Sequence, residues 1–122
     1  MSSISRTEAV HALFAAYLAN DRARVEDMFA EDFRFTSPFD DQIDKPTYFE
    51  RCWRDSSWIE RHALEHVVVD GDIAVVTYHC LATSGRSFRN TEVIVFRHDK
   101  FGRIDVYFGA TYQNGAFVRL SA

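Results

Sequence analysis

Two imidazoles and one carboxylate stand at spacings that could bring them together: His62, His79 and Glu92. A carboxylate facing apolar surroundings is costly to ionise, so its pKa rises unless a cation sits nearby. A neighbouring His supplies that cation or accepts the proton, and either arrangement makes a proton carrier usable near neutral pH. The segment from Ile59 to Tyr112 reads as β-strands, and its turns decide whether the three groups meet. Asp70-Gly71 and Gly85-Arg86 each fall between two β-rich runs with the spacing of a two-residue hairpin loop. Counting back from both turns places His62 opposite His79, and His79 opposite Glu92, as one row across three strands on one face. His79 and Glu92 are therefore the expected acid/base pair. The same two-His, one-carboxylate set is a ligand type suited to a divalent metal. Directly opposed strand positions form a flat row, however, and a metal needs ligands converging on a point, so no metal is expected.

The last reversal leaves two registers. If Arg97-His98-Asp99-Lys100 is a regular two-residue hairpin, Asp105 falls opposite Glu92. A bulge at Gly102 turns Ile104, Val106 and Phe108 to that face instead, which is cheaper than burying Asp105. The bulge is the preferred reading. His66 reads as a partly exposed strand residue, and His11 and His98 lie in polar surroundings typical of a surface.

These strands need a scaffold, and the rest of the chain provides helices. Ser5-Arg6-Thr7-Glu8 has the form of a capping box, and Val10, Leu13, Phe14, Tyr17 and Leu18 follow at helical spacing. A short second helix carries Val25, Met28 and Phe29 on its buried side. Phe33, Phe35 and Ser37 alternate with Arg34 and Thr36 as a strand ending at Pro38. Phe39 to Asp44 is Asp-rich and reads as a loop. Asp44 before Lys45-Pro46 marks a third helix, carrying Tyr48, Phe49, Cys52 and Trp53 and ending near Asp55-Ser56-Ser57. Helices with one early strand, then an antiparallel meander and a short tail from Gln113, define an α+β domain whose helices cover one face of a curved sheet. At 122 residues the chain is expected to be one domain, spanning 1–122.

Composition narrows the function. Hydrophobic residues make up 47%, with eleven Phe, which fits either an aromatic core or an aromatic-lined cavity. A net charge of −4 without a basic cluster disfavours nucleic acid. Cys52 and Cys80 have no metal-site spacing and read as free thiols in a reducing cytoplasm. Met1 to Glu8 lacks the apolar core of a signal peptide, and no apolar run approaches a membrane span, so a cytoplasmic protein without membrane attachment is expected.

Phe29-Ala30-Glu31-Asp32-Phe33, Ser37-Pro38, Asn90-Thr91-Glu92-Val93 and Val106-Tyr107-Phe108-Gly109, in that order, resemble the SnoaL-like family of the nuclear transport factor 2-like superfamily over nearly the whole chain. The resemblance implies a cone-shaped α+β barrel, with three N-terminal helices packed on a strongly curved, mainly antiparallel sheet. It also implies a deep pocket between the concave face and the helices, and frequent homodimers formed through the outer sheet face. Members include ketosteroid isomerases, polyketide cyclases, dehydratases and epoxide hydrolases beside non-catalytic binding domains, so the fold does not give the function. Against ketosteroid isomerase the chain departs at all three catalytic positions, with Ser37, Leu13 and Ile94 in their places. The same alignment turns Ile94, and hence Glu92, toward the cavity.

The expected function is binding of a small, mostly apolar organic molecule, with cofactor-free isomerase, cyclase, dehydratase or hydrolase chemistry by His79 and Glu92 if there is a reaction. The alternative is a non-catalytic ligand-binding or dimerisation domain. Tyr17, Phe35, Ser37, Asp41, Trp53, His62, Asn90 and Phe108 are the expected ligand-binding residues. Asp40 and Asp41 would stand at the pocket mouth, where paired carboxylates could divide acid and base roles, although Asp-rich loops are more often solvated turns.

Overall fold

In the computed structural model, which describes residues 3–53 and 56–119, three helices lie against a seven-stranded sheet. Helix α1 spans Ser3–Leu18, α2 Arg22–Met28 and α3 Lys45–Arg51. The strands are β1 Phe29–Ser37, β2 Asp40–Asp44, β3 Ile59–Asp70, β4 Ile73–Ala82, β5 Arg86–Arg97, β6 Lys100–Gln113 and β7 Ala116–Val118. Their order is β2-β1-β6-β5-β4-β3, with β7 also paired to β6. The β1–β6 pair is parallel and the others are antiparallel.

Local chemistry sets the helix starts. The Asp21 carboxylate accepts the Arg24 amide and caps α2, and the Asp44 carboxylate accepts the Thr47 amide and caps α3 ahead of Pro46. Helix α1 begins at Ser3, two residues before the expected capping box. Four further boundaries differ from expectation. Phe29 opens β1 instead of closing α2, and α3 stops at Arg51, followed by a 3₁₀ turn over Ser56–Trp58; Asp55 lies outside the described residues. The expected loop from Phe39 to Asp44 is mostly strand β2, an edge strand pairing Phe35 with Ile43 and Arg34 with Asp44. The tail after Gln113 turns back as β7.

The core lies between the helices and the concave sheet face. Phe29, Phe33 and Phe101 are fully buried with Leu13 and Val10 of α1 and Val25 of α2. Phe29 stacks on Phe33 with ring centroids 4.0 Å apart. On β4, Ala74, Val76, Tyr78 and Cys80 are all buried and face the helices. Ile73, Val75, Thr77 and His79 therefore face the opposite way, on the outer side of the sheet.

Strand register follows from the loops. The β3–β4 hairpin turns on Gly71-Asp72, not Asp70-Gly71, with Asp70 opposite Ile73, and Glu65 bulges out between the pairs Leu64–Tyr78 and His66–Thr77, so His62 meets Cys80 instead of His79. This bulge reverses the alternation of β3, so His62, Leu64, Val67 and Val69 point inward while His66 and Val68 point out. The β4–β5 connection is Thr83-Ser84-Gly85, not Gly85-Arg86. Ala82 accepts the Gly85 amide at 3.0 Å, and Gly85 has φ +89°, a left-handed conformation that glycine adopts without penalty. Leu81 then pairs with Ser87 and His79 with Arg89. Strand β6 slips against β5 twice, between Phe88–Thr111 and Asn90–Phe108 and between Val95–Arg103 and Phe96–Phe101. The second of these is the Gly102 bulge, and it places Ile104, Val106 and Phe108 on the concave face.

Candidate functional site

A cavity of about 660 Å³ opens between the concave face, α1 and α3. Helix α1 contributes Leu13, Phe14 and Tyr17, while Tyr48 comes from α3 and Trp53 from just beyond it. Phe35 and Ser37 enter from β1, and Ile104, Val106 and Phe108 from β6. The sheet supplies the polar groups His62, Tyr78, Asn90 and Glu92. Such a volume, walled by aromatic and aliphatic groups with a few polar atoms, is the usual form of a small-molecule site.

The expected row of His62, His79 and Glu92 does not form. Glu92 lies opposite Val76 and Val106, with its side chain among cavity residues, while His79 lies opposite Ala63 and Arg89. The β3–β4 turn and the Glu65 bulge separate His62 from His79, and the β4–β5 loop separates His79 from Glu92. Moving the centre of the β4–β5 loop by one and a half residues shifts that pairing by three, an odd number, and an odd slip sends a side chain to the other face. His79 instead sits beside Glu65 on the outer face, where the Arg89 guanidinium grips the Glu65 carboxylate at 2.8 and 3.1 Å. Arg89, with His79 adding to its effect, holds Glu65 below the usual carboxylate range. The His79–Glu92 acid/base pair is therefore withdrawn on geometry, and so is the flat set that resembled metal ligands.

His62 reaches the cavity by a different pairing, opposite Cys80. Its ring packs edge-on against Phe14 and Tyr78, with centroids 5.3 and 5.7 Å away. Burial lowers its pKa, opposed by a hydrogen bond to the Phe14 backbone, so the imidazole stays neutral at pH 7. Its Nδ1 is buried without a hydrogen-bond partner among the described residues.

Glu92 is the group with the most unusual chemistry. Burial pushes its carboxyl up to about 7, and a hydrogen bond from the Tyr78 hydroxyl opposes that rise. Three tyrosines surround it: its charge, added to their own burial, drives the Tyr17, Tyr48 and Tyr78 hydroxyls above their ordinary range. The Tyr17 and Tyr48 hydroxyls bond each other. Asn90 donates its amide to the Tyr78 oxygen at 3.2 Å and accepts the Gly109 backbone N–H at 3.3 Å. Sequence reasoning found Tyr17, Asn90 and Glu92 but missed Tyr48 and Tyr78. Tyr78 shares its parity on β4 with Ala74, Val76 and Cys80, but the other parity, with Ile73, Val75 and Leu81, is equally apolar, so the sequence did not single it out.

The mouth is charged and aromatic. Asp40, not Asp41, lines it, because the Asp41 side chain points out from β2 into solvent. Arg51 pairs with Asp40 at 2.8 Å, and the Cys52 thiol lies 3.7 Å from the same carboxylate. Phe39 and Trp58 line the cavity while remaining about half exposed, at 51% and 48%. Phe39 packs edge-on against Phe108 at 5.6 Å.

A three-helix layer on a curved mixed sheet, with a pocket in the concavity, defines the NTF2-like α+β fold. The chain belongs to the SnoaL-like domain family, which matches residues 10–107. Among solved structures it is similar to an NTF2-like protein of unknown function from Burkholderia pseudomallei K96243, at 20% identity over 88% of this chain and 92% of that one, TM-score 0.70. AclR of Streptomyces galilaeus, provisionally described as a hydroxylase, is 12% identical over 88% of this chain and 77% of its own, TM-score 0.76. A de novo designed protein with a curved β-sheet is 17% identical over 88% of both chains, TM-score 0.73. At these identities the likeness is one of fold. No curated protein matches the chain. No helix among the described residues is long and apolar enough to cross a membrane.

Proposed function

We propose that this domain binds a small, mostly apolar organic molecule in its concave cavity, and that Glu92 moves protons to and from it without a cofactor. The observation that carries the reading is a carboxyl poised near neutral pH inside a cavity of about 660 Å³ with largely apolar walls. At pH 7 comparable fractions of Glu92 are ionised and protonated, so it can accept a proton from a weakly acidic C–H or O–H of the ligand and return it elsewhere. The Tyr17–Tyr48 hydroxyl pair beside it supports hydrogen bonding to a ligand oxygen on which charge develops. Phe35, Trp53 and Phe108 form the apolar walls, with Ser37 and His62 as further polar contacts. Isomerisation, cyclisation, dehydration and hydrolysis all fit this proton inventory.

A homodimer through the outer sheet face is part of the same proposal. Val68, Ile73, Val75, Tyr107 and Tyr112 are exposed there, an apolar surface that association would cover.

Native mass spectrometry of protein purified from its own host tests the ligand, with a bound organic mass in the cavity as the expected result. Glu92→Gln then separates the two uses of the pocket. Retained binding with turnover lost supports proton transfer, whereas unchanged turnover removes Glu92 from the chemistry and leaves a binding domain.

A further inference from the structure

The charges that line the cavity do not balance. Asp40, Glu50 and Glu92 reach it as carboxyls, and Arg51 is the one guanidinium among the described lining residues. Arg51 is already committed, because its Nη2 lies 2.8 Å from the Asp40 carboxylate. Asp40 is the more enclosed partner, with 8% of its side chain exposed, and its Oδ1 makes no aligned hydrogen bond among the described residues. The pair therefore cancels charge without saturating the carboxylate. Burial keeps His62 neutral, so among the described residues no free cation lines the cavity to meet an anionic ligand.

Glu92 is the unmatched group inside. It enters the cavity from β5, opposite Val76 and Val106, and stands half-buried with the void in front of it. It makes no ion pair among the described residues. Rings surround it. Tyr78 stands two positions along β4 from its cross-strand partner Val76, on the same buried face. Tyr17 packs on Trp53 with centroids 4.8 Å apart, and Tyr48 on Phe35 at 4.7 Å, and all four line the cavity. Aromatic faces attract cations and repel anions, because the ring quadrupole is negative on its face. A carboxyl without a countercharge, set among such faces, has the composition of a site for an alkylammonium group. The fold has already drawn Glu92 away from bulk water, so an arriving ammonium gives up only its own hydration.

We propose that the cavity binds an organic cation, an amine with an apolar body, whose ammonium rests against Glu92 among the rings of Tyr17, Tyr48 and Tyr78. The inference rests on the reading of the cavity as a small-molecule site and narrows it. Carboxylates, phosphates and sulfonates of the same shape are rejected by the surplus negative charge. An ammonium beside the carboxyl also favours its ionised form, so the bound ligand itself leaves Glu92 as a base.

The test uses three probes of similar shape, 2-naphthylmethylamine, 2-naphthylmethanol and 2-naphthoate, titrated calorimetrically into the full chain at pH 8. The amine should bind about tenfold or more tighter than the alcohol, the size of one charge-assisted hydrogen bond, and the carboxylate more weakly than either. In Glu92→Gln the amine should lose about tenfold or more, while retained alcohol binding shows that the variant is folded. Glu50→Gln, at the exposed mouth, should change the amine by less than about threefold. An alcohol that binds as tightly as the amine, an amine advantage that survives Glu92→Gln, or an equal loss in Glu50→Gln overturns the inference, and each leaves the small-molecule reading standing. If none of the three probes binds, that reading falls and the inference falls with it.

Discussion

Replacing Glu92 by Gln should make the protein more resistant to unfolding at pH 8, and the size of the effect follows from the burial of one carboxyl. In the folded chain Glu92 titrates at about 7, against an ordinary value of 4.5. The group whose pKa is raised binds its proton more tightly folded than unfolded. Its contribution is therefore fully favourable below about pH 4.5 and is lost as pH rises through 7. In that window the native state holds a proton that the unfolded chain has released, and stability falls by about 1.4 kcal/mol per pH unit. Over the window the loss is about 3 kcal/mol, or roughly 10 °C in Tm for a domain of this size. Glutamine cannot ionise and keeps an oxygen to accept from Tyr78, so the variant escapes this loss. Unpaired amide hydrogens in the variant add an offset that does not depend on pH. The quantity to measure is thus the difference between the two proteins as a function of pH. Urea denaturation from pH 5 to pH 8, followed by tryptophan fluorescence from Trp53 and Trp58, should show the variant gaining steadily over the wild type with unchanged m-values. Two parallel stability curves would refute the reasoning, because they would mean that Glu92 ionises as freely folded as unfolded.

Two further outcomes test the surroundings of the pocket. A thiol reagent should label Cys52 rapidly in the folded protein and Cys80 only after unfolding, because Cys52 is exposed while burial raises the Cys80 thiol to about 11; equal labelling rates would contradict the packing of β4 under α1. Val75→Lys, on the outer sheet face, should convert dimers to monomers in light scattering and leave ligand binding within about twofold; a change in affinity without a change in mass would mean that this face is coupled to the pocket rather than to a partner.

Much of the fold was legible because its signals are local. The Asp44 cap with Pro46, the apolar stripe of α1 and the alternation of β1 each state their structure within a few residues. The Gly102 bulge was legible for an energetic reason: the regular register would have buried Asp105 opposite Glu92. The β4–β5 loop was not, because a three-residue Thr83-Ser84-Gly85 loop and a two-residue Gly85-Arg86 loop are both acceptable and both give Gly85 a left-handed position. Nor did apolar patterning on β4 arbitrate, since Val75 and Leu81 make its outer face look as buried as the inner one. Strand β2 was hidden by its aspartates, which suit a solvated edge strand but are rare in central ones.

That loop, more than the one-residue displacement of the β3–β4 turn, explains why the site was half found. A wrong turn does not blur a candidate site; it moves every residue on one strand to the far side of the sheet, which removed His79 and brought in Tyr78. Glu92 kept its place because its inward direction was argued from Ile94 on the same strand and did not depend on the turn. The inward face of β5 would pack well with an aliphatic residue at position 92, between Val76 and Val106 on the neighbouring strands. Such a residue would also spare the fold the loss that an ionised carboxyl imposes above neutral pH. The chain instead carries a carboxyl there and surrounds it with three tyrosines. A carboxyl needed only to fill space would require none of this, so the arrangement is better explained by a use for its proton in the cavity.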